Sequence, residues 1–168
     1  MSKHSALKAY PLESNTQIGL LHGDRAELAK RLSEALADTY LLYLKTQAVH
    51  WNVVGPMFYG LHKLTESQYQ DMAQAIDELA ERIRAIGFLA PGSFKQFSEL
   101  SSFKELTQAA SADEMLEQLL HDNEMCSRNL RNSVREAEKV DDVHTADLLT
   151  ERIGVHEQNA WMLRSLLE

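Results

Sequence analysis

His50-Trp51-Asn52-Val53-Val54-Gly55-Pro56-Met57-Phe58-Tyr59-Gly60-Leu61-His62-Lys63-Leu64-Thr65-Glu66 is where two long helical patterns meet and turn. Upstream, Leu28, Leu32, Ala35, Thr39, Leu42, Thr46 and Val49 step by four and three. That is one stripe of a long helix packed in a bundle. Downstream, Leu61, Thr65, Met72, Ile76, Leu79, Ile83 and Ile86 carry a second stripe, over residues 57–86. Between them, Gly55 suits the end of one helix and Pro56 the first turn of the next. The stretch is the turn of an antiparallel helical hairpin.

The rest of the chain reads outward from that hairpin. Asp24 with Glu27 looks like a capping box opening the first helix. Residues 1–22 before it carry no sustained period and read as an extended arm. Gly87 stops the second helix. Residues 87–110, with Pro91-Gly92 and several serines, are long for a simple helical connection. They have to cross the length of the bundle, with Phe94, Phe97, Leu100 and Phe103 forming a short helix. Ser111 and Glu114 look like another capping box, opening a third long helix to residue 139 with Leu116, Leu119, Leu120, Cys126, Leu130 and Val134 inward. The last helix starts near 143, its stripe being Leu149, Ile153, His156, Ala160, Leu163 and Leu167. Gly154 inside it predicts a close approach by a neighbour. Two hairpins joined by a long crossover predict an all-α fold. It is a four-helix bundle of ferritin type, with a short extra helix in the crossover between the second and third long helices. Residues 23–168 make one domain.

Composition agrees. Seven glycines and three prolines in 168 residues favour long elements with few turns. The net charge of −8 opposes nucleic acid and anionic membranes and favours cations. Cys126 is the only cysteine, so no intrachain disulfide forms, which fits a reducing cytoplasm. Met1-Ser2-Lys3-His4-Ser5 lacks the apolar run of a secretory signal, and no stretch is long and apolar enough to span a bilayer. A cytoplasmic protein with no membrane partner is expected.

Candidate metal ligands cluster at the hairpin. His50 and His62 stand at similar distances from the turn, so their imidazoles share a height. Glu66 lies one helical turn beyond His62 on the same face. His50, His62 and Glu66 can converge on one point. Asp77 and Glu81 make a second pair one turn apart, further along the same helix. From His62 to Asp77 the rotation is about 60° after whole turns, but the rise is about 22 Å. Bonds to a transition metal are about 2 Å, so one ion cannot join both groups. Two copies packing these helices antiparallel across a two-fold axis would place Asp77 and Glu81 of one against His62 and Glu66 of the other. Imidazole with carboxylate suits iron(II), zinc or manganese. Taken singly, each residue has a plainer reading. His62 with Glu66, and Asp77 with Glu81, suit a solvated helix face, and His50 a hydrogen-bonded core position. A site within one bundle would need Glu-x-x-His motifs on two helices. Here Glu117 and His121, and Glu151 and His156, have the wrong spacing.

The run H-W-N-V-V-G-P-M-F-Y-G-L-H-K-L-T-E, then D-E-L-A-E-R from Asp77 to Arg82, strongly resembles the Dps family, the miniferritins or DNA-binding proteins from starved cells. The resemblance covers nearly the whole chain, including T-A-D-L-L-T-E-R and the W-M-L-R-S-L-L ending. It implies hollow homo-dodecamers of tetrahedral symmetry with ferroxidase centres at two-fold interfaces. By position, His50, His62 and Glu66 come from one subunit and Asp77 and Glu81 from its mate, holding two irons per site. Many members have Asp where this chain has Glu66, which shifts the second metal position. The implied reaction is oxidation of iron(II), with hydrogen peroxide as favoured oxidant, and storage of ferric mineral against oxidative stress; zinc or manganese are substitutes. Trp51 either intercepts stray oxidising equivalents or is a bulky core or interface anchor, the reading preferred here.

The resemblance also implies acidic three-fold pores near the start of the last helix, for which Asp142, Asp147 and Glu151 are the candidates. Members that bind DNA often use a Lys/Arg-rich tail. Here the arm offers Lys3, His4 and Lys8, so DNA binding is expected to be weak or absent. A nucleoid DNA-protecting protein with a secondary metal site is the alternative.

Overall fold

The computed structural model describes residues 13–104 and 110–168. It contains α1 (His22–Asn52), α2 (Phe58–Ala85), α3 (Phe94–Leu100), α4 (Ala112–Lys139) and α5 (Val143–Ser165). The four long helices and the short crossover helix are those expected from the sequence.

Helix α1 pairs with α2 and α4 with α5, while α1 joins the two hairpins by packing on α4. Two polar links give the α1–α4 register. Lys45 pairs with Asp122, and Asn129 Nδ2 donates to Asp38 Oδ2 at 3.1 Å. The pairings move in opposite directions along the two helices, so α1 and α4 are antiparallel. Helices α2 and α4 are therefore parallel, and the crossover must traverse the bundle. Asp38 pins it there, accepting from Ser101 Oγ at 2.8 Å and from the Ser102 N–H at 2.7 Å. Phe97 of α3 is buried and stacks on Tyr40, ring centroids 4.5 Å apart.

The stripe read along α1 is buried at every position. Along α2, Ala75 takes a fully buried place beside the half-buried Ile76. Ser111 and Glu114 do form a reciprocal capping box. The one read at Asp24 does not form. Helix α1 starts two residues earlier, at His22, with no side-chain cap. Its start is fixed by tertiary contact instead: Arg25 is buried and donates from Nη1 to the Ile86 carbonyl at 2.8 Å. Gly154 also departs from expectation. A Cβ there would meet nothing within 4 Å, so no neighbour within the described chain approaches it. Gly87 is the glycine that matters. Its φ is +101°, and a Cβ would lie 2.7 Å from Arg25 Nη1 and 2.9 Å from the Ser14 carbonyl oxygen. Of the arm read over residues 1–22, residues 1–12 lie outside the described residues. Ser14 N–H donates to the Gly87 carbonyl at 2.7 Å.

Candidate metal centre

His50 occupies the last turn of α1, where carbonyls lack intrahelical partners. His62 sits in the second turn of α2, directly across the hairpin. The two imidazoles stack, centroids 3.8 Å apart and planes 17° from parallel. Each ring is fixed by the other residue's backbone. His50 Nδ1 lies 2.8 Å from the His62 carbonyl oxygen, and His62 Nδ1 lies 3.0 Å from the His50 carbonyl oxygen. A carbonyl only accepts, so both Nδ1 atoms are donors. In the neutral imidazole that leaves each Nε2 with its lone pair, the form a metal takes. Phe58 stacks on His62 and Tyr69 meets His50 edge-on, holding the pair from both sides. His50 is buried at 7% exposure, and His62 is half-buried.

Glu66 lies one turn further on. Lys63 Nζ is 2.7 Å from its Oε2. That hydrogen bond and charge, with smaller contributions from His50 and His62, lower the carboxyl's pKa. Lys63 was not singled out in the sequence, though its position three residues before Glu66 is a helix pairing.

Asp77 and Glu81 lie on the exposed surface of α2. The helix is unbroken from Phe58 to Ala85, so the rise from His62 to Asp77 is the about 22 Å expected. Among the described residues, no three His, Cys, Asp or Glu side chains approach closely enough to hold an ion. In one chain the His50–His62 pair at the hairpin turn therefore stands well apart from Asp77 and Glu81 further along α2.

Asp147 and Glu151 are exposed one turn apart on α5. Asp142, grouped with them from sequence, is spent differently. It is buried, caps α5 by accepting from the Thr145 N–H at 3.1 Å, and takes Arg82 Nη2 on both oxygens at 2.7 and 2.8 Å. Burial alone would raise its pKa, but the hydrogen bonds from Thr145 and Arg82 outweigh it and the net shift is downward. A carboxylate so enclosed is not placed to line a channel. Glu151 also borders a groove of about 380 Å³ between α2 and α5, shared with Glu78, Glu81 and His144.

Trp51 is 61% exposed, so it is not a core residue of this chain; Val54, Phe58 and Tyr59 are exposed beside it. Cys126 is buried, and burial raises its thiol pKa well above the usual value, which keeps it an inert thiol. Lys3, His4 and Lys8 lie outside the described residues. No described helix is long and apolar enough to cross a membrane.

A family model for the ferritin-like domain matches residues 29–168. Among relatives, an uncharacterized low temperature-induced protein of Nostoc is 42% identical over 153 residues, covering 90% of this chain and 86% of its own. The DNA protection during starvation protein of Brevibacillus brevis is 35% identical over 141 residues, covering 84% and 95%. Among solved structures, the Dps protein of Vibrio cholerae, described as a member of a broad superfamily of ferritin-like diiron-carboxylate proteins, superposes with a TM-score of 0.87. It is 30% identical, covering 92% of this chain and 100% of its own. A Dps protein from Bacillus brevis superposes at 0.85, with 33% identity, covering 89% and 100%.

Proposed function

The chain belongs to the Dps family of ferritin-like proteins, and we propose that it is a miniferritin that oxidises iron(II) at sites shared between two subunits. The observation that carries this reading is the stacked His50–His62 pair. Both rings have their donors spent on backbone and their Nε2 lone pairs free, and the carboxylates needed to complete the site stand about 22 Å away. Antiparallel pairing of α2 across a two-fold axis brings the two halves together twice over. His50, His62 and Glu66 of one subunit then face Asp77 and Glu81 of the other. The apolar surface of Trp51, Val54 and Tyr59 beside His50 suits such an interface.

Iron is the substrate. Two iron(II) ions give one electron each to hydrogen peroxide, the oxidant favoured here. Its O–O bond breaks to give two hydroxide-level oxygens, and hydrolysis of the iron(III) releases protons. Hard carboxylates favour iron(III) over iron(II), which drives the step. Taking both electrons at one site avoids hydroxyl radical. The ferric product is stored in a hollow dodecamer, protecting a cytoplasm under oxidative stress. Zinc and manganese are the substitutes this ligand set admits.

Subunit complementation tests it. A His50→Ala/His62→Ala chain and an Asp77→Asn/Glu81→Gln chain should each form inactive cages. Co-assembled in equal amounts, they should regain about a quarter of the wild-type rate, because each mixed pair rebuilds one of its two sites. Continued silence of the mixed cages would mean that no site is shared. The second reading, protection of DNA by binding it, draws on the starvation-protection relatives. The net charge of −8 opposes it. Gel shifts near about 150 mM salt should show no stable complex, and a retained band there would favour it.

A further inference from the structure

Five polar atoms in the middle of the bundle are shut from solvent without a hydrogen-bond partner among the described residues. They are Nε2 and Oε1 of Gln68, Nε2 of His156, Nδ2 of Asn159 and Nε of Arg152. Gln68 is 3% exposed, His156 0% and Asn159 6%. Buried groups are paired as a rule, so each orphan asks for a partner. These converge. Arg82 pairs with Asp142 and Arg152 with Asp71, so α2 and α5 run antiparallel. The same register sets Gln68, one turn before Asp71, level with His156, one turn after Arg152. Asn159 follows on the same face of α5.

The chemistry of the missing partner can be read from the atoms. Asn123 of α4 donates from Nδ2 to the Leu119 carbonyl at 2.8 Å, which turns its Oδ1 to His156 Nδ1 at 2.9 Å. Nδ1 must therefore be the donor, and Nε2 an acceptor. Burial, and then the Arg152 charge, push the imidazole pKa down to about 3, so Nε2 does not gain a proton. The group offers two acceptors, His156 Nε2 and Gln68 Oε1, against three donors, Gln68 Nε2, Asn159 Nδ2 and Arg152 Nε. Charge is balanced, since Arg152 spends its terminal nitrogens on Asp71 at 2.6 and 3.3 Å. The side chains are amides where a metal would need carboxylates, so a cation finds nothing to offset its lost hydration. What fits is small, neutral, and both donor and acceptor.

We infer that the centre of the bundle is a binding site for a neutral molecule of one or two oxygen atoms, water or hydrogen peroxide, held by Gln68, His156 and Asn159. Water at such a site makes two to four bonds and stands in for protein partners that cannot reach each other. Peroxide presents the same donors and acceptors over one more atom. Its presence here rests on the function proposed above, whereas the water does not.

The test is a high-resolution crystal structure of the assembled wild-type protein, from crystals grown without peroxide, soaked in peroxide, and soaked in zinc(II). A compact peak within hydrogen-bond reach of His156 Nε2 and Gln68 is expected in the first, and an elongated two-atom peak in the second. A compact peak in both overturns peroxide as an occupant and supports water. A direct Gln68–His156 hydrogen bond without intervening density, or zinc on His156, overturns the site. In solution, the ¹⁵N resonance of His156 Nε2 should move toward the unbonded position in Gln68→Leu. No shift in a folded variant would overturn it too. None of these readouts uses iron, so failed iron oxidation leaves this site standing, and an empty centre leaves the shared ferroxidase site standing.

Discussion

Lys63 follows His62 in the chain and holds Glu66 in space. Its ammonium, 2.7 Å from the carboxylate, stands where a metal's charge would otherwise act. A metal bound at Glu66 would compete with that ammonium for the carboxylate's charge. Lys63→Met should therefore tighten zinc(II), a redox-inert probe of the same ligands, by a few-fold at low salt. The gain stays small because Lys63 is half-exposed, where solvent and salt screen the pair. Calorimetric titration checks this, and equal affinities for the two proteins would show that Lys63 does not compete. The candidate ligands were legible as residue types at this scale, and the anchoring of the two histidines was not. His50 and His62 stand out as residues in H-W-N-V-V-G and G-L-H, but each is oriented by the other's backbone carbonyl. A carbonyl is common to every residue, so no side-chain pattern could mark it. The polar centre around His156 was hidden for a related reason. His156 fits the apolar stripe of α5, and only the α2–α5 register shows Gln68 opposite it.

At the scale of the element, local chemistry was readable wherever it acted alone. Ser111 and Glu114 satisfy each other's backbone and needed nothing distant. Asp24 and Glu27 carry the same motif, yet Arg25, buried against the carbonyl of Ile86, sets where α1 begins. A contact across 61 residues overrode a cap, as tertiary packing commonly does. Gly154 meets no neighbour within the described chain, because a helical glycine does not itself say which surface, if any, comes close. Gly87 shows the converse. It ends α2 as expected, and its left-handed backbone also lets Arg25, Thr16 and the Ser14 carbonyl close over it. Gly87→Ala should destabilise the fold by about 1–3 kcal/mol, from the strained φ together with the displaced Arg25. Chemical denaturation of the assembled protein measures it. An unchanged midpoint would mean that this junction yields easily and contributes little to where α2 stops.

The whole molecule is where one chain's geometry stops being sufficient. The rise along α2 separates the two groups of proposed ligands, and that much follows from counting residues on an unbroken helix. Which surfaces would close against which in the proposed assembly depends on copies of the chain, and the same would hold for a channel. Asp147 and Glu151 form an exposed acidic step at the start of α5, with Asp142 withdrawn beneath them as a cap. Repeated around a three-fold axis, the two would make stacked carboxylate rings, drawing in ferrous ions and raising their local concentration. Their exposure means neutralising them should leave α5 folded, since the cap and the Arg82 ion pair belong to Asp142. Asp147→Asn with Glu151→Gln should therefore slow iron uptake by roughly ten-fold or more at low ionic strength, the lower end of electrostatic steering. The difference should narrow as salt is raised. Zinc(II) bound at equilibrium should be unchanged, because no ligand of the proposed shared site is altered. Stopped-flow absorbance of iron(III) formation across a salt series reads the first effect and calorimetry the second. Uptake as fast as wild type at every salt concentration would leave these carboxylates as ordinary partners of the α5 N-terminus. Slower uptake with zinc binding also lost would instead tie Glu151, through the groove it shares with Glu81, to the metal site itself.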